Sequence, residues 1–189
     1  MLKKNDCYPA QITGYTSEGL GVAHVDGQAV FVARAIAGEQ GTIQILKATA
    51  NRAYGKWASL ELPSPHRREP DCPYFGRCGG CDFWHIDYAE ETRLKADRVR
   101  DALTRIGGWD PGPLSILAAP TCEGYRNKAQ YPVAAVEGVP EAGFFRARTH
   151  QLIPVCRCRI QSDRADRIRA AVLDWMRQQQ VPAYDEATH

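Results

Sequence analysis

Residues 19–35 read GLGVAHVDGQAVFVARA, and this stretch indicates how the first third of the chain folds. Apolar residues such as Val30 and Val32 alternate with their neighbours beside an Asp26-Gly27 pair, as half-buried β-strands require. Asp-Gly suits a two-residue hairpin turn because both of its residues tolerate a positive φ. The stretch therefore predicts an antiparallel β-hairpin.

The flanking sequence continues the same pattern. Three further strand-like segments, CYPAQITGY, EQGTIQILKA and AYGKWASLEL, occupy residues 7–15, 39–48 and 53–62. Together with the hairpin they make five strands with glycine-rich turns, which predicts a small β-barrel over residues 1–62. A barrel of this size is often of the oligonucleotide-binding (OB-like) type, and the alternative is a barrel with a purely structural role.

A proline-rich stretch follows the barrel. Residues 62–76, LPSPHRREPDCPYFG, contain four prolines, which disfavour both helix and sheet pairing and so indicate a domain boundary. Residues 63–115 are expected to form a linker, a cysteine loop and a helix over 87–106. Asp87 and Glu90 have the spacing of a capping box at the start of that helix.

Residues 116–189 are expected to begin a second α+β domain, which makes the whole chain α+β. Its strand-like segments are AQYPVAAV, GFFRAR and LIPV. Ser162 is a plausible N-cap for a second helix that Pro182 stops. The apolar face predicted for this helix comprises Ile168, Ala171, Val172 and Trp175.

Composition narrows the class of protein. Hydrophobic residues make up 44% of the chain, as in ordinary globular proteins, and no run of about twenty apolar residues could cross a membrane. The N-terminus lacks the apolar stretch of a signal peptide, which predicts a cytoplasmic protein. The net charge is only +2, so any affinity for nucleic acid must come from local basic clusters.

Seven cysteines without a secretion signal favour metal or cluster binding over disulfides. Cys72, Cys78 and Cys81 lie together in CPYFGRCGGC, with gaps of five and two residues. Three thiolates on a glycine-rich loop can converge on one inorganic centre, with a fourth ligand from Cys156 or Cys158. The spacing favours a [4Fe-4S] cluster, and the alternatives are a zinc site or buried thiols without a ligand.

The ordered motifs of the chain resemble the bacterial RNA m5U methyltransferases, particularly those that modify uracil in 23S ribosomal RNA. The resemblance rests on CPYFGRCGGC, LKADRVRDALTRIGG, GYRNKAQYPV, GFFRARTHQLIPVCRCRIQ and VPAYDEATH. It implies an S-adenosylmethionine-dependent enzyme with a TRAM barrel, a central cluster-bearing domain and a C-terminal Rossmann-like methyltransferase domain. This chain is expected to be the N-terminal portion, without the last domain and the site for S-adenosylmethionine.

The family's cluster ligands map onto Cys72, Cys78, Cys81 and Cys158, with Cys156 as the alternative fourth ligand. In the family a cysteine near the C-terminus adds to C6 of the target uracil, so no catalytic residue is expected in this chain. Cys7 and Cys122 are expected to be thiols without a ligand. The chain alone is therefore expected to be inactive. It is also expected to be a monomer.

The expected partner is RNA, most of all 23S rRNA, and no membrane is expected. The alternatives are a stand-alone RNA-binding module, a fragment of a tRNA uracil-C5-methyltransferase and, least favoured, a radical methylthiotransferase. Candidate RNA contacts are Lys47, Arg52 and Lys56, beside Tyr54 and Trp57, and the pairs Arg126 with Lys128 and Arg146 with Arg148. Each pair is expected on one face of a strand, where it could contact phosphates or form a solvated surface.

Aromatic side chains flank the cysteine loop. Tyr74, Phe75, Phe83 and Trp84 are expected to shield a cluster from solvent, and the alternative is stacking on unpaired bases.

Overall fold

The computed structural model describes residues 2–185. The chain divides into two compact units, Met1–Glu69 with Phe83–Ala118 and Pro70–Asp82 with Ala119–His189. The predicted helix groups with the barrel strands, and the cysteine loop groups with the strands and helix that follow. The last four residues of the VPAYDEATH motif lie outside the described residues.

The first unit is built on a six-stranded curled sheet. Strands β1 to β6 are Cys7–Gln11, Gly14–Tyr15, Gly21–Val25, Gln28–Val32, Gln40–Ala48 and Arg52–Leu62. They lie in the order β1-β5-β6-β4-β3-β2, and all neighbouring pairs are antiparallel except β4 and β6, which are parallel. The five predicted strands are confirmed, with the first one divided into β1 and β2.

The hairpin turn at Asp26 and Gly27 is confirmed. The two residues have φ angles of 49° and 76°, and Val25 pairs with Gln28 across the turn. Two successive positive φ angles define a type I′ turn, whose twist matches that of the flanking strands. The local sequence alone therefore fixes the register between β3 and β4.

The core of the first unit is formed by alternate residues of the strands. Val30 and Val32 on β4 and Ile43 and Ile45 on β5 are all 0% exposed. Burying each of these side chains stabilises the fold by about 1.5–3 kcal/mol. The alternation read from the sequence thus marks the face of the sheet that turns away from water.

Gly41 on β5 lies where a side chain does not fit. A Cβ added there would be 2.3 Å from the carbonyl oxygen of Ser59 on β6. We expect Gly41→Ala to lower the free energy of unfolding by about 1–3 kcal/mol, because backbone atoms must move to make room. Gly14→Ala is the matched control, since a Cβ at Gly14 meets nothing within 4 Å. Equal losses for both variants in urea unfolding would contradict this close approach.

A buried carboxylate supports the loop before β5. Glu39 is 0% exposed and accepts hydrogen bonds from Nε and an Nη atom of Arg67 at 2.5 and 2.8 Å. It also accepts from the backbone N–H groups of Ile36 at 2.9 Å and Ser64 at 3.2 Å. Nothing in the local sequence distinguishes Glu39 from an exposed loop residue, so this contact was missed.

The predicted helix of the first unit is confirmed, with a different end. Helix α1 spans Tyr88–Asp101 and continues as a π-helical turn over Ala102–Ile106. The Asp87 side chain caps it by accepting from the Glu90 N–H at 2.8 Å. Leu94 is the apolar residue that α1 buries, whereas Ile106 is 88% exposed.

The second unit contains a three-stranded antiparallel sheet and one long helix. Strands β7 to β9 are Val133–Val136, Val139–Phe145 and Leu152–Pro154, in the order β7-β8-β9, and helix α2 spans Asp163–Gln178. Glu137 and Gly138 have φ angles of 51° and 82° and form the tight turn between β7 and β8. Three strands are found where they were predicted. β7 and β9 are shorter than AQYPVAAV and LIPV, whereas β8 begins four residues before GFFRAR and ends at Phe145.

Helix α2 begins as predicted, but its predicted apolar face is not buried. Ser162 caps the helix by accepting from the Ala165 N–H at 3.3 Å. The exposed fractions of Ile168, Val172 and Trp175 are 59%, 47% and 55%. The helix instead buries Leu173 and Met176, which adjoin this face. They pack against Tyr131, Val133 and Ala142. Helical spacing identified the helix but not the side that meets the sheet.

None of the helices within residues 2–185 is long and apolar enough to cross a membrane.

Candidate functional site

The cysteine loop of the second unit is a series of tight turns. Cys78 donates its N–H to the Tyr74 carbonyl at 2.8 Å, and Gly79 donates to the Phe145 carbonyl at 3.0 Å. A Cβ at Gly79 would lie 2.9 Å from both that carbonyl oxygen and the Ala147 nitrogen. The loop can therefore lie against the end of β8 only with glycine at position 79.

The thiols of this loop lie close enough to influence one another. Burial, followed by the charges of Cys158, Cys78 and Cys72, raises the pKa of Cys81 to about 11. Burial also raises the pKa of Cys78, against the hydrogen bond from the Gly80 N–H to its Sγ at 3.4 Å and with the charges of Cys158 and Cys72. Cys158 thus shares its surroundings with the three loop cysteines.

These side chains do not form a closed metal-binding geometry. Within residues 2–185, no three Cys, His, Asp or Glu side chains converge closely enough to hold a metal ion. Charges influence a pKa over longer distances than the length of a metal–sulfur bond. The thiols are therefore neighbours, but they are not close enough together to hold a metal ion. Their chemistry still fits a thiolate-bound centre, because four adjacent thiols are costly to ionise together without a cation.

The two candidate fourth cysteines have different surroundings. Cys158 is half-buried, and its N–H donates to Oδ2 of Asp166 at 3.0 Å. Cys156 is exposed, and its N–H donates to the Tyr74 hydroxyl at 3.0 Å. The hydrogen bond from the Cys156 N–H lowers the pKa of Tyr74, but burial and the thiols of Cys156 and Cys72 outweigh it and raise that pKa. Burial, with a smaller contribution from Cys158, raises the pKa of Cys78 and Cys81.

Asp166 on α2 supports the segment that carries Cys158. It is 8% exposed, and its Oδ1 accepts from the Tyr131 hydroxyl at 3.1 Å while Oδ2 accepts from the Cys158 N–H. The Arg169 guanidinium lies over the Tyr131 ring at 5.8 Å and donates to the Cys156 carbonyl. The sequence offered no signal for Asp166 beyond an acidic residue in the first turn of a helix.

An ion-pair cluster joins the two cysteine-bearing segments. The Arg159 guanidinium pairs with Asp71, next to Cys72, and with Glu123 at 3.2 Å. Arg159 follows Cys158 directly in the chain. These ion pairs therefore link the segment that contains Cys72 to the segment that contains Cys158, independently of any bound metal.

The other two cysteines lie outside the cysteine loop and the segment that carries Cys156 and Cys158. Cys7 at the start of β1 is exposed, and Cys122 is half-buried. Their expected lack of a ligand stays a prediction.

The basic residues predicted on the barrel share one outer surface. Arg52, Tyr54 and Lys56 alternate along β6, and Lys47 on β5 pairs with Tyr54. The three basic residues are exposed, and the Tyr54 ring contacts the Phe31 ring edge to face at 5.5 Å. Positive groups and partly exposed rings on neighbouring strands are typical of surfaces that bind single-stranded nucleic acid.

Trp57 is an exception to that surface. It occupies the opposite face of β6 and packs against the buried core of the first unit. The alternation of side chains along a strand separates it from Lys56. Its predicted place beside the basic residues is therefore wrong.

The predicted strand position of Arg126 and Lys128 is also wrong. Arg126 forms an isolated bridge with Gln161, where its N–H donates to the Ile160 carbonyl at 2.9 Å, and Lys128 lies in irregular structure. The backbone before β7 bonds to the loop after Cys158 and so does not extend the sheet. The two side chains are exposed, but no common strand face aligns them.

Arg146 and Arg148 follow the end of β8 rather than lying on it. The Arg146 N–H donates to the Gln151 carbonyl at 2.9 Å, and the Thr149 N–H donates to the Arg146 carbonyl at 3.1 Å. Arg148 has a φ of 62° within this turn. The early turn ends the strand, which corrects the expectation of two arginines on one strand face. Both side chains are nevertheless exposed.

The aromatic residues around the cysteine loop have separate roles. The Tyr74 hydroxyl accepts from the Cys156 N–H, and Phe75 bridges to Cys78 within the loop. Phe83 and Trp84 belong to the first unit, where the Arg68 guanidinium lies 4.8 Å from the Trp84 ring. Shielding of a cluster stays a prediction for all four residues.

The curled sheet matches a known domain. Residues 3–57 match the TRAM domain. This range covers strands β1 to β5 and the first half of β6. The TRAM domain expected from the sequence is thus found in the first unit.

The similarity to curated relatives extends over both units. The chain is 36% identical over 188 residues to an "uncharacterized RNA methyltransferase" of Clostridium tetani, which covers 100% of this chain and 41% of the relative. It is 35% identical over 186 residues to a protein of the same name from Bacillus cereus, covering 98% and 40%. The chain therefore spans about two fifths of the length of these relatives.

A solved structure shares the fold. It is the crystal structure of Pyrococcus abyssi tRNA (uracil-54, C5)-methyltransferase in complex with S-adenosyl-L-homocysteine, with a TM-score of 0.61 and 17% sequence identity. The match covers 92% of this chain and 37% of the other. At this identity the likeness concerns the fold. The chain thus contains a TRAM domain and is, along its whole length, homologous to part of proteins named RNA methyltransferases.

Proposed function

We propose that the chain is the RNA-binding, iron-sulfur-bearing part of an S-adenosylmethionine-dependent 23S rRNA (uracil-C5)-methyltransferase. The observation that carries the proposal is the unbroken similarity to named RNA methyltransferases across both units. The structural neighbour supports uracil C5 as the target and S-adenosylmethionine as the methyl donor, since its name includes both the uracil and the demethylated cofactor. The motif resemblance of the sequence favours ribosomal RNA.

A tRNA substrate is the second candidate, because the structural neighbour is named for uracil-54 of tRNA. The two candidates differ in a measurable product. We expect a strain that lacks the gene to lose 5-methyluridine from 23S rRNA, as measured by mass spectrometry of purified RNA. Loss of 5-methyluridine from tRNA alone would identify tRNA, rather than ribosomal RNA, as the substrate. Unchanged 5-methyluridine in both RNAs would overturn the proposal.

Within the proposal, Cys72, Cys78, Cys81 and Cys158 hold a [4Fe-4S] cluster. The proposal is supported by the charges of Cys72 and Cys158, which after burial contribute to the raised pKa of Cys78 and Cys81, and by the Gly80 N–H directed at Cys78 Sγ. A bound cluster would cross-link the loop to the Cys158 segment without a redox role, since methyl transfer from a sulfonium needs no electron transfer. Arg159 and Asp166 position the two segments from the protein side.

The proposed task of this chain is to bind and orient RNA. Lys47, Arg52 and Lys56 would contact phosphates on the outer surface of the TRAM domain, and Tyr54 offers a ring for base stacking. The exposed residues Arg126, Lys128, Arg146 and Arg148 would extend the contacts on the second unit. The groups that transfer the methyl would come from the part of the relatives that the chain does not span, so the chain alone would bind RNA without methylating it.

Charge reversal on the TRAM surface tests this task. We expect the double variant Arg52→Glu, Lys56→Glu to bind single-stranded RNA about tenfold more weakly, because phosphate contacts dominate such affinity. The dependence of log K on log salt concentration should become shallower by about 1.4, which is roughly 0.7 for each lost contact. Filter binding across a salt series measures both quantities.

The matched control is Lys3→Glu, Lys4→Glu, which makes the same change of charge at two exposed residues before β1. We expect it to weaken binding much less, through the general field of the protein. An equal loss in both double variants would mean that net charge, rather than this surface, determines RNA affinity.

A further inference from the structure

The first unit contains a groove that the proposed function has not used. Its volume is about 970 Å³. One wall comprises residues of β2 and β3 with the turn between them, and the other wall comprises α1 and the π-helical turn after it. Both walls belong to the same compact unit, and the groove lies on different strands from Arg52 and Lys56.

The helical wall is rich in positive charge. Five basic and two acidic side chains line the groove, namely Arg93, Lys95, Arg98, Arg100, Arg105, Asp97 and Asp101. Four of the basic residues form ion pairs with carboxylates of α1. These are Arg93 with Glu90 and Asp97, Lys95 with Glu91, Arg100 with Asp97, and Arg105 with Asp101.

Arg98 differs from the other four. It is exposed, and no carboxylate lies within 4.0 Å of its guanidinium in the described part of the chain. A cation in the last turn stabilises the helix dipole, but a residue on any side of the helix would do so. Its position on the groove wall leaves its five N–H donors available to a ligand.

The floor of the groove is apolar and fixed. Phe83 lies so close beneath Gly19 that a Cβ there would be 2.5 Å from the ring. Lys95 Nζ lies 5.9 Å from the same ring. The Tyr15 hydroxyl accepts from the Ala37 N–H at 2.9 Å and donates to Glu90 at 3.3 Å, which holds the second ring. Burial raises the pKa of Tyr15 to about 12, so its ring stays uncharged at neutral pH.

We propose that this groove is a second binding site for single-stranded RNA, with Arg98 on a phosphate and the floor of Tyr15 and Phe83 beneath the bases. A polyanion with flat apolar faces matches both the basic wall and the aromatic floor. The inference rests on the proposed function, because it assumes that the chain binds RNA. It adds a contact surface on β2, β3 and α1 to the surface on β5 and β6.

The test compares two single arginine reversals. Arg98→Glu is expected to weaken binding of an unstructured uridine-rich RNA about fivefold and to lower the salt dependence by roughly 0.7. Arg167→Glu is the matched control, because Arg167 is also an exposed helical arginine without a carboxylate partner in the described part of the chain. The control should leave affinity within about twofold of the parent chain.

The outcomes separate this inference from the proposed function. Tight RNA binding by the parent chain with equal affinities for the two variants would overturn the groove and leave the proposed function intact. Absence of RNA binding by the parent chain would overturn both. Poly-glutamate that competes as well as the RNA would overturn RNA as the ligand, because it lacks bases for the floor.

Cross-linking gives an independent measurement. RNA that contains 4-thiouridine is expected to cross-link to peptides covering residues 13–24 and 93–106, as read by mass spectrometry. Cross-links confined to other peptides would overturn the inference even if Arg98→Glu weakened binding.

Discussion

Replacing Cys158 with alanine is expected to abolish iron binding, whereas replacing Cys156 is expected to preserve it. Cys158 is half-buried and, after burial, contributes to the raised pKa of Cys78 and Cys81, whereas Cys156 is exposed and its N–H donates to the Tyr74 hydroxyl. Removing one of the four cysteines leaves one iron of a [4Fe-4S] cluster without a protein ligand and so weakens the attachment of the cluster. Iron should fall from about four atoms per chain to almost none in Cys158→Ala.

The measurement is iron and acid-labile sulfide per chain after anaerobic reconstitution, together with the visible absorbance of the cluster. Cys156→Ala is the matched control, since it removes a thiol only two residues away. Loss of iron from Cys156→Ala but not from Cys158→Ala would assign the fourth ligand to Cys156. Zinc without sulfide in the parent chain would refute the cluster itself.

Replacing Glu39 with alanine is expected to cost about 3–5 kcal/mol of unfolding free energy. The substitution leaves the Arg67 guanidinium and two backbone N–H groups without their buried acceptor. Urea unfolding followed by circular dichroism measures the loss. Glu61→Ala is the control, because Glu61 is exposed and only accepts from the hydroxyls of Thr42 and Ser59. A loss below about 1 kcal/mol at Glu39 would show that water replaces the carboxylate.

The same carboxylate gives the stability a defined dependence on pH. Burial alone would raise the pKa of Glu39, but hydrogen bonds from Arg67, Ile36 and Ser64 outweigh it and hold the pKa below its ordinary value of 4.5. The folded state therefore binds this proton more weakly than the unfolded state. Its contribution is present above the unfolded pKa and is lost as pH falls through the folded pKa. Glu39→Gln should reduce the loss of stability at acidic pH, measured as the free energy of unfolding across a series of pH values.

Local signals in the sequence predicted the elements of the fold. The Asp26-Gly27 turn and the caps at Asp87 and Ser162 were identified because each depends on residues within four positions of one another. The burial of α2 could not be predicted in this way. Its helical spacing marked Val172 and Trp175, yet the sheet of the second unit packs against Leu173 and Met176, and only tertiary packing selects between adjacent faces of one helix.

In the candidate site, too, the features that depend on local sequence were predictable and the contacts between distant residues were not. The spacing of Cys72, Cys78 and Cys81 was visible because all three lie in one short loop. The supporting contacts of Arg159 with Asp71 and of Asp166 with Tyr131 join residues 88 and 35 positions apart. No local pattern indicates such pairs, and the position of Arg126 likewise depends on a hydrogen bond to the distant Ile160 carbonyl.

The parallel pairing of β4 with β6 has a consequence for the folding pathway. The β3–β4 and β5–β6 hairpins each join neighbouring segments, so they can form within microseconds. Ala29 pairs with Arg52 only after these hairpins meet side by side. Because that meeting costs loop entropy, we expect the pairing of β4 with β6 to form late in refolding, after the transition state. Mutations at Ala29 or Ala53 should therefore speed unfolding more than they slow refolding, whereas mutations in the Asp26-Gly27 turn should act mainly on the refolding rate.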